Sequence, residues 1–124
     1  MSGVIGTSSA KSKVIGRSID TAKVWVSYDQ VADNVNNDFN VSTVGDDDTG
    51  LYTINFLTPL ANIHYAVSCN VVEDAGGTHS LGMDRQTNPS RAATTVSYLK
   101  MAVINQNLGG GRDCTRNSVI IFGD

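Results

Sequence analysis

The chain has 124 residues, a hydrophobic fraction of 40%, a charged fraction of 17% and a net charge of -3. That length supports one domain around a single core and excludes two ordinary ones. The charged fraction is below the usual ~25%, and the abundance of Ser, Thr, Asn and Gly suits an extracellular type of β protein better than a cytosolic enzyme.

The charge is unevenly spread. Residues 1–27 balance to +3, residues 28–76 carry eight acids and no Lys or Arg, and the remainder balances to +2. The basic start either is simply solvated or lies on another copy or an acidic partner. Its four bases are too thinly spread for a nucleic-acid arm. Residues 2–10 lack the basic start and apolar stretch of a targeting segment, and no apolar run approaches a membrane helix in length.

Residues 1–21 read as an extended arm and residues 22–124 as the domain. The arm repeats the pattern S-x-V-I-G-x-S, at Ser2–Ser8 and Ser12–Ser18, ten residues apart. Each copy offers a short apolar tooth, Val4-Ile5 or Val14-Ile15, the second followed closely by Arg17. Teeth this short form no core of their own. They suit a groove or the free edge of a sheet, so these five residues are the candidate anchors to a neighbour or a larger surface.

Ala22–Tyr28 predicts the first strand, with Trp25 pointing opposite to Val24 and Val26. Apolar weight on both faces predicts burial on two sides and makes Trp25 a candidate oligomer contact. Residues 29–38 read as a polar connection rich in turn formers. Phe39–Val44 and Tyr52–Phe56 alternate as strands around the turn Gly45–Gly50, and Ile63–Val71 alternates for nine residues. His79–Ala92 reads as a long polar loop of the kind that binds or moves. Ala93–Ile104 is apolar on both alternating sets. Helix competes there, but the Thr-Thr-Val start favours a strand. A Gly-rich turn across 105–116 leads to a closing strand at Asn117–Gly123. Six or seven short strands predict an all-β domain, an antiparallel β-sandwich or jelly-roll-like fold.

Motifs for chemistry are thin. Asp46-Asp47-Asp48-Thr49-Gly50 places carboxylates near a glycine but lacks the EF-hand pattern, so a hairpin turn accounts for it better than calcium. Gly109-Gly110-Gly111-Arg112 has no P-loop context. His64 and His79 share no spacing with cysteines, which argues against zinc. No G-x-S-x-G elbow occurs, and Glu73 is the sole Glu. Asn40-Val41-Ser42 is a glycosylation sequon. Tyr98 beside Lys100 reads as core packing rather than a sugar contact. Cys69 reads as a small buried hydrophobe, and a reducing cytoplasm argues against a Cys69–Cys114 bridge. No enzyme activity and no cofactor are expected.

Ala22-Lys23-Val24-Trp25-Val26, Phe39–Val44, Thr49–Phe56 and Ala61–Val67 stand in the order and wording of a module of tailed-bacteriophage virion proteins. The chain resembles this family over roughly residues 12–68 and the final strand. The family includes C-termini of tail fibres and small stand-alone head or tail proteins. Leu51 departs from the acid usual before the Tyr, which predicts an exposed apolar residue and a second oligomer contact. The stretch 29–38 lacks the family's Gly-Thr-Gly turn.

The resemblance implies an all-β virion component, often a homotrimer, assembled in the host cytoplasm, with no catalytic residues. The expected function is a small capsid-decoration protein that clamps the major capsid protein through the arm. The alternative is a tail-fibre knob, with His79, Asp84, Arg85, Arg91 and Arg112 touching tail partners or a host surface glycan. A carbohydrate-binding module or small hydrolase ranks third. No nucleic acid or membrane partner is expected.

Overall fold

The structure, a computed structural model, describes residues 21–72, 79–83, 94–105 and 110–123. These form eight strands: β1 Ala22–Asp29, β2 Asn34–Phe39, β3 Val41–Asp48, β4 Leu51–Phe56, β5 Ala66–Val72, β6 His79–Met83, β7 Tyr98–Asn105 and β8 Arg116–Phe122. They make two four-stranded antiparallel sheets, β2-β1-β8-β5 and β3-β4-β7-β6, packed as a sandwich.

The inner faces come from the central strands. Val24, Val26 and Tyr28 of β1 and Val119 and Ile121 of β8 meet Tyr52, Ile54 and Phe56 of β4 and Leu99, Met101 and Val103 of β7. These side chains alternate with solvent-side neighbours, as a pleated strand requires. Tyr28 and Tyr52 touch across the sheets, their ring centres 5.1 Å apart. Val35, Val41, Val44, Val67, Cys69, Val71 and Leu81 of the edge strands complete the core at its margins.

Four expectations change. The supposed connection 29–38 contains strand β2, preceded by a turn at Gln30–Asp33 with Asp33 at φ 48°. Val35 is the only β2 residue that is not exposed, so β2 has no alternation to read. The supposed long loop begins with strand β6, which pairs His79 with Asn105. The strand expected from Ile63 begins at Ala66, and Ile63 is half exposed. Tyr98 lies not in the core but on the outer face, because its neighbour Leu99 takes the inward position. Eight strands, rather than six or seven, are the result.

One end of the sandwich is held by buried polar groups. Gln30 Nε2 donates to Asp46 Oδ1 at 3.2 Å and to the carbonyls of Asp48 and Leu51. Asn117 Nδ2 donates to the carbonyls of Tyr28 and Cys114. Gly50, at φ +73°, lies against the backbone of Arg112 and Val103, and its N–H donates to Asp113 Oδ1 at 2.7 Å. A Cβ there would stand 2.5 Å from Arg112 N, so the site requires glycine in both conformation and space.

Tyr52 is fully buried, and its hydroxyl has no hydrogen-bond partner among the described residues. Burial, followed by the neighbouring Cys69, Tyr28 and Cys114, pushes its phenol well above the ordinary value of 10.0. The folded chain therefore keeps a proton that the unfolded chain releases. The resulting stability is complete below about pH 10 and is lost as pH rises above it. Tyr52→Phe should leave stability at pH 7 unchanged or raise it by up to ~1 kcal/mol, since an unpaired hydroxyl is removed. Above pH 10 it should flatten the alkaline loss by up to ~1.4 kcal/mol per pH unit. Denaturant titrations across pH 7–12 check this; a loss beyond ~2 kcal/mol at pH 7 would mean the hydroxyl is partnered.

Candidate interaction surface

The register that buries Val24, Val26, Val119 and Ile121 turns the intervening residues outward. On the outer face of the β2-β1-β8-β5 sheet, Trp25 pairs with Phe39 on one side and Ile120 on the other. One step along, Phe122 pairs with Ala22 and Ala66. Phe39 is 52% exposed, Ile120 and Phe122 are 39% exposed each, and Trp25 is half-buried. Further along, the row Asn37, Ser27, Ser118, Asn70 is polar. The apolar band thus occupies the end of the sheet where β1 begins.

A groove of about 530 Å³ adjoins this band, lined by Lys23, Asp38, Phe39, Asn40, Val41, Leu57 and Thr58. It forms where the chain crosses from β2 to β3 through the single residue Asn40, at φ 58°. Asn is among the few residues that tolerate that conformation. Asn40 also clamps the corner. Its Nδ2 donates to the carbonyls of Lys23 and Thr58, both at 3.1 Å, and its Oδ1 accepts from Thr58 N at 2.7 Å. Its carbonyl accepts from Leu57 N at 3.1 Å. Leu57 is consequently held out to solvent, 69% exposed, on a braced backbone. Both ends of the Asn40 amide are engaged, so a glycan on the sequon would displace these contacts.

The outer face of the other sheet is different. Lys100 Nζ pairs with Asp47 Oδ2 at 3.2 Å and donates to Thr53 Oγ1 at 3.0 Å. Thr53 in turn donates to Asp47 Oδ2, and Lys100 lies 5.9 Å from the Tyr98 ring centre. Asn55 donates to Thr43 Oγ1 at 3.1 Å. A partly exposed ion pair of this kind contributes about 0–1 kcal/mol. Its polar groups satisfy one another, leaving little for a partner.

The three acids of the β3–β4 turn diverge. Asp46 binds Gln30, Asp47 binds Thr53 and Lys100, and Asp48 Oδ1 accepts from Thr49 N. They serve the turn and its flanks. Among the described residues, no three or more of His, Cys, Asp and Glu gather as a metal site. Cys69 and Cys114 are not joined in a disulfide; Cys69 donates to the Leu81 carbonyl at 3.2 Å, and burial pushes its thiol up.

Of the expected contact residues, Trp25 stands on the apolar outer face of the β2-β1-β8-β5 sheet. Leu51 lies in the opposite sheet and is half-buried, because β4 is an interior strand that sets it between Asp48 and Ala102. The expectation of an exposed Leu51 is corrected accordingly. His79 is a half-buried strand residue, and Arg112 is exposed with its N–H donating to the Val103 carbonyl. The two are not brought onto the Trp25 face by any shared strand pairing. Val4, Ile5, Val14, Ile15, Arg17, Asp84, Arg85 and Arg91 lie outside the described residues. Phe39, Leu57, Ile120 and Phe122 escaped the sequence reading, although Val119–Phe122 carries the same two-faced apolar pattern that marked Trp25.

Fold and surface define the class: an antiparallel β-sandwich with one polar outer face and one partly apolar one. No protein-family model, curated protein or solved structure matches the chain at a significant level.

Ile120→Asp should keep the fold, since the side chain points outward, but abolish any self-association that uses this face. Val72→Asp, also exposed on this sheet but opposite Arg116, should leave both the fold and any self-association unchanged. Sedimentation together with thermal melts checks both; equal assembly of Ile120→Asp and the unaltered protein would remove this face from the interface.

Proposed function

We propose that the protein is a structural component of a tailed-phage particle, a small homo-oligomeric decoration protein that binds the outer shell and resists its expansion. The observation that carries this reading is the apolar band Phe39–Trp25–Ile120 with Phe122, set on a closed sandwich at the end where the N-terminal segment joins β1. The resemblance of roughly residues 12–68 and the final strand to the virion module, whose members are often homotrimers, supports it. The low charge and the two apolar teeth at Val4-Ile5 and Val14-Ile15 fit the same role.

Magnitudes explain why the arm matters. Covering four half-exposed apolar side chains gains roughly 1 kcal/mol each. Association costs about 4–15 kcal/mol in lost freedom. The band alone therefore supports only weak pairing. Several copies on a lattice, each adding an arm contact, multiply a weak contact through effective concentration. Binding to the assembled shell then stabilises it by mass action.

Deleting residues 2–18 should leave a folded domain that no longer binds particles, whereas the full chain should rebind shells stripped of it. Co-sedimentation with purified heads and with purified tails checks this. Decoration of heads by the truncated protein would overturn the arm's role. Binding of the full chain to tails or host cells alone would favour the fibre-knob reading.

A further inference from the structure

The groove beside the apolar band lies within reach of the chain's own N-terminal segment. Lys23 lines the groove, and residues 1–20 lead directly into β1 beside it. Ile15 precedes Ala22 by seven residues, a reach of about 23 Å when extended. Charge points the same way. The segment 1–20 holds Lys11, Lys13 and Arg17 against Asp20. Of the six aspartates between Tyr28 and Val72, five lie at the far end of β1, β2 and β3, in and beside the Gln30–Asp33 and β3–β4 turns. Asp38 lines the groove itself.

We propose that the inner tooth of the arm, Val14-Ile15, docks in the groove formed by Phe39, Asn40, Val41 and Leu57, with the basic residues that flank the tooth toward Asp38 at its rim. The braced Asn40 corner makes the groove a pre-organised receptor. Leu57 is held in place by backbone and side-chain hydrogen bonds before any partner arrives, which lowers the ordering cost of binding. The apolar walls suit a β-branched pair, and the polar rim suits the glycine and hydroxyl residues that flank it. The outer tooth, Val4-Ile5, lies ten residues further on, up to about 33 Å away, and is left free for the shell. The docking rests on the arm-anchoring reading only for that outer tooth, and it is tested without particles so that the two fail separately.

Trypsin reads it directly, because Lys13 and Arg17 flank the tooth. In the full-length protein, Leu57→Asp should speed cleavage after Lys13 and Arg17 by about tenfold, the factor for losing an anchor of ~1.4 kcal/mol. Val31→Asp, equally exposed in the turn at the far end of β1, should leave the rate unchanged. A photoreactive amino acid in place of Leu57 should crosslink to residues 12–18. A crosslinked dimer on a gel would place the tooth on a neighbour's groove, and an internally linked monomer on its own. Equal cleavage of the unaltered protein and Leu57→Asp, or crosslinks only outside residues 12–18, would overturn the docking.

Discussion

The structure depends on the pairing of its first and last strands. β8 lies between β1 and β5, so the C-terminal strand completes the middle of one sheet. Its register sets Val24 against Ile121 and Val26 against Val119, all inward and buried. The same register sets Trp25 against Ile120 outward. With a period of two, one apolar set cannot be buried without exposing the other, and a slip of one residue would exchange them. The apolar outer face is thus a direct consequence of how the core is closed. This pairing spans nearly the whole domain, so loop closure comes before its reward. Folding should be slower than for a helical domain of this size.

The same constraint separates the two outer faces. The β3-β4-β7-β6 sheet carries Thr53, Lys100 and Asp47 outward, and these satisfy one another. The β2-β1-β8-β5 sheet carries Phe39, Trp25, Ile120 and Phe122 outward, with nothing in the chain's described residues above them. A sheet face of the second kind is where an assembly gains apolar burial, while the first stays in water. The Asn40 corner ties the apolar face to the groove. One residue in a left-handed conformation moves the chain between sheets, braces Leu57, and brings β1's start beside it.

Much of this was legible in the sequence. Val24, Trp25 and Val26 alternate clearly enough to give the strand and to place apolar side chains on both of its faces. Thr49-Gly50 marks the hairpin, and Val67, Cys69 and Val71 take the inward positions that their alternation predicts. β2 was hidden because an exposed edge strand of Asn and Asp keeps its place through backbone pairing with β1, a tertiary effect that leaves no periodic trace. β6 was hidden because five residues, His79–Met83, are too few to alternate convincingly and include Gly82. Leu57 directly follows the strand predicted over Tyr52–Phe56 and precedes Thr58-Pro59. Only the Asn40 contacts, seventeen residues back in sequence, explain its exposure. Trp25 was found because its neighbours are opposite in kind, but its partners Phe39 and Ile120 required the register.

The central claim is that the Trp25 face is covered by another copy of the chain. Because Trp25 is the only tryptophan, its fluorescence reports that face alone. The most direct measurement is sedimentation of the full-length protein over a wide concentration range, with tryptophan emission recorded on the same samples. The account predicts a mass above the 13.1 kDa of one chain at high concentration, and an emission maximum that shifts to the blue along the same curve. A 13.1 kDa species throughout, with unchanging emission, would contradict it.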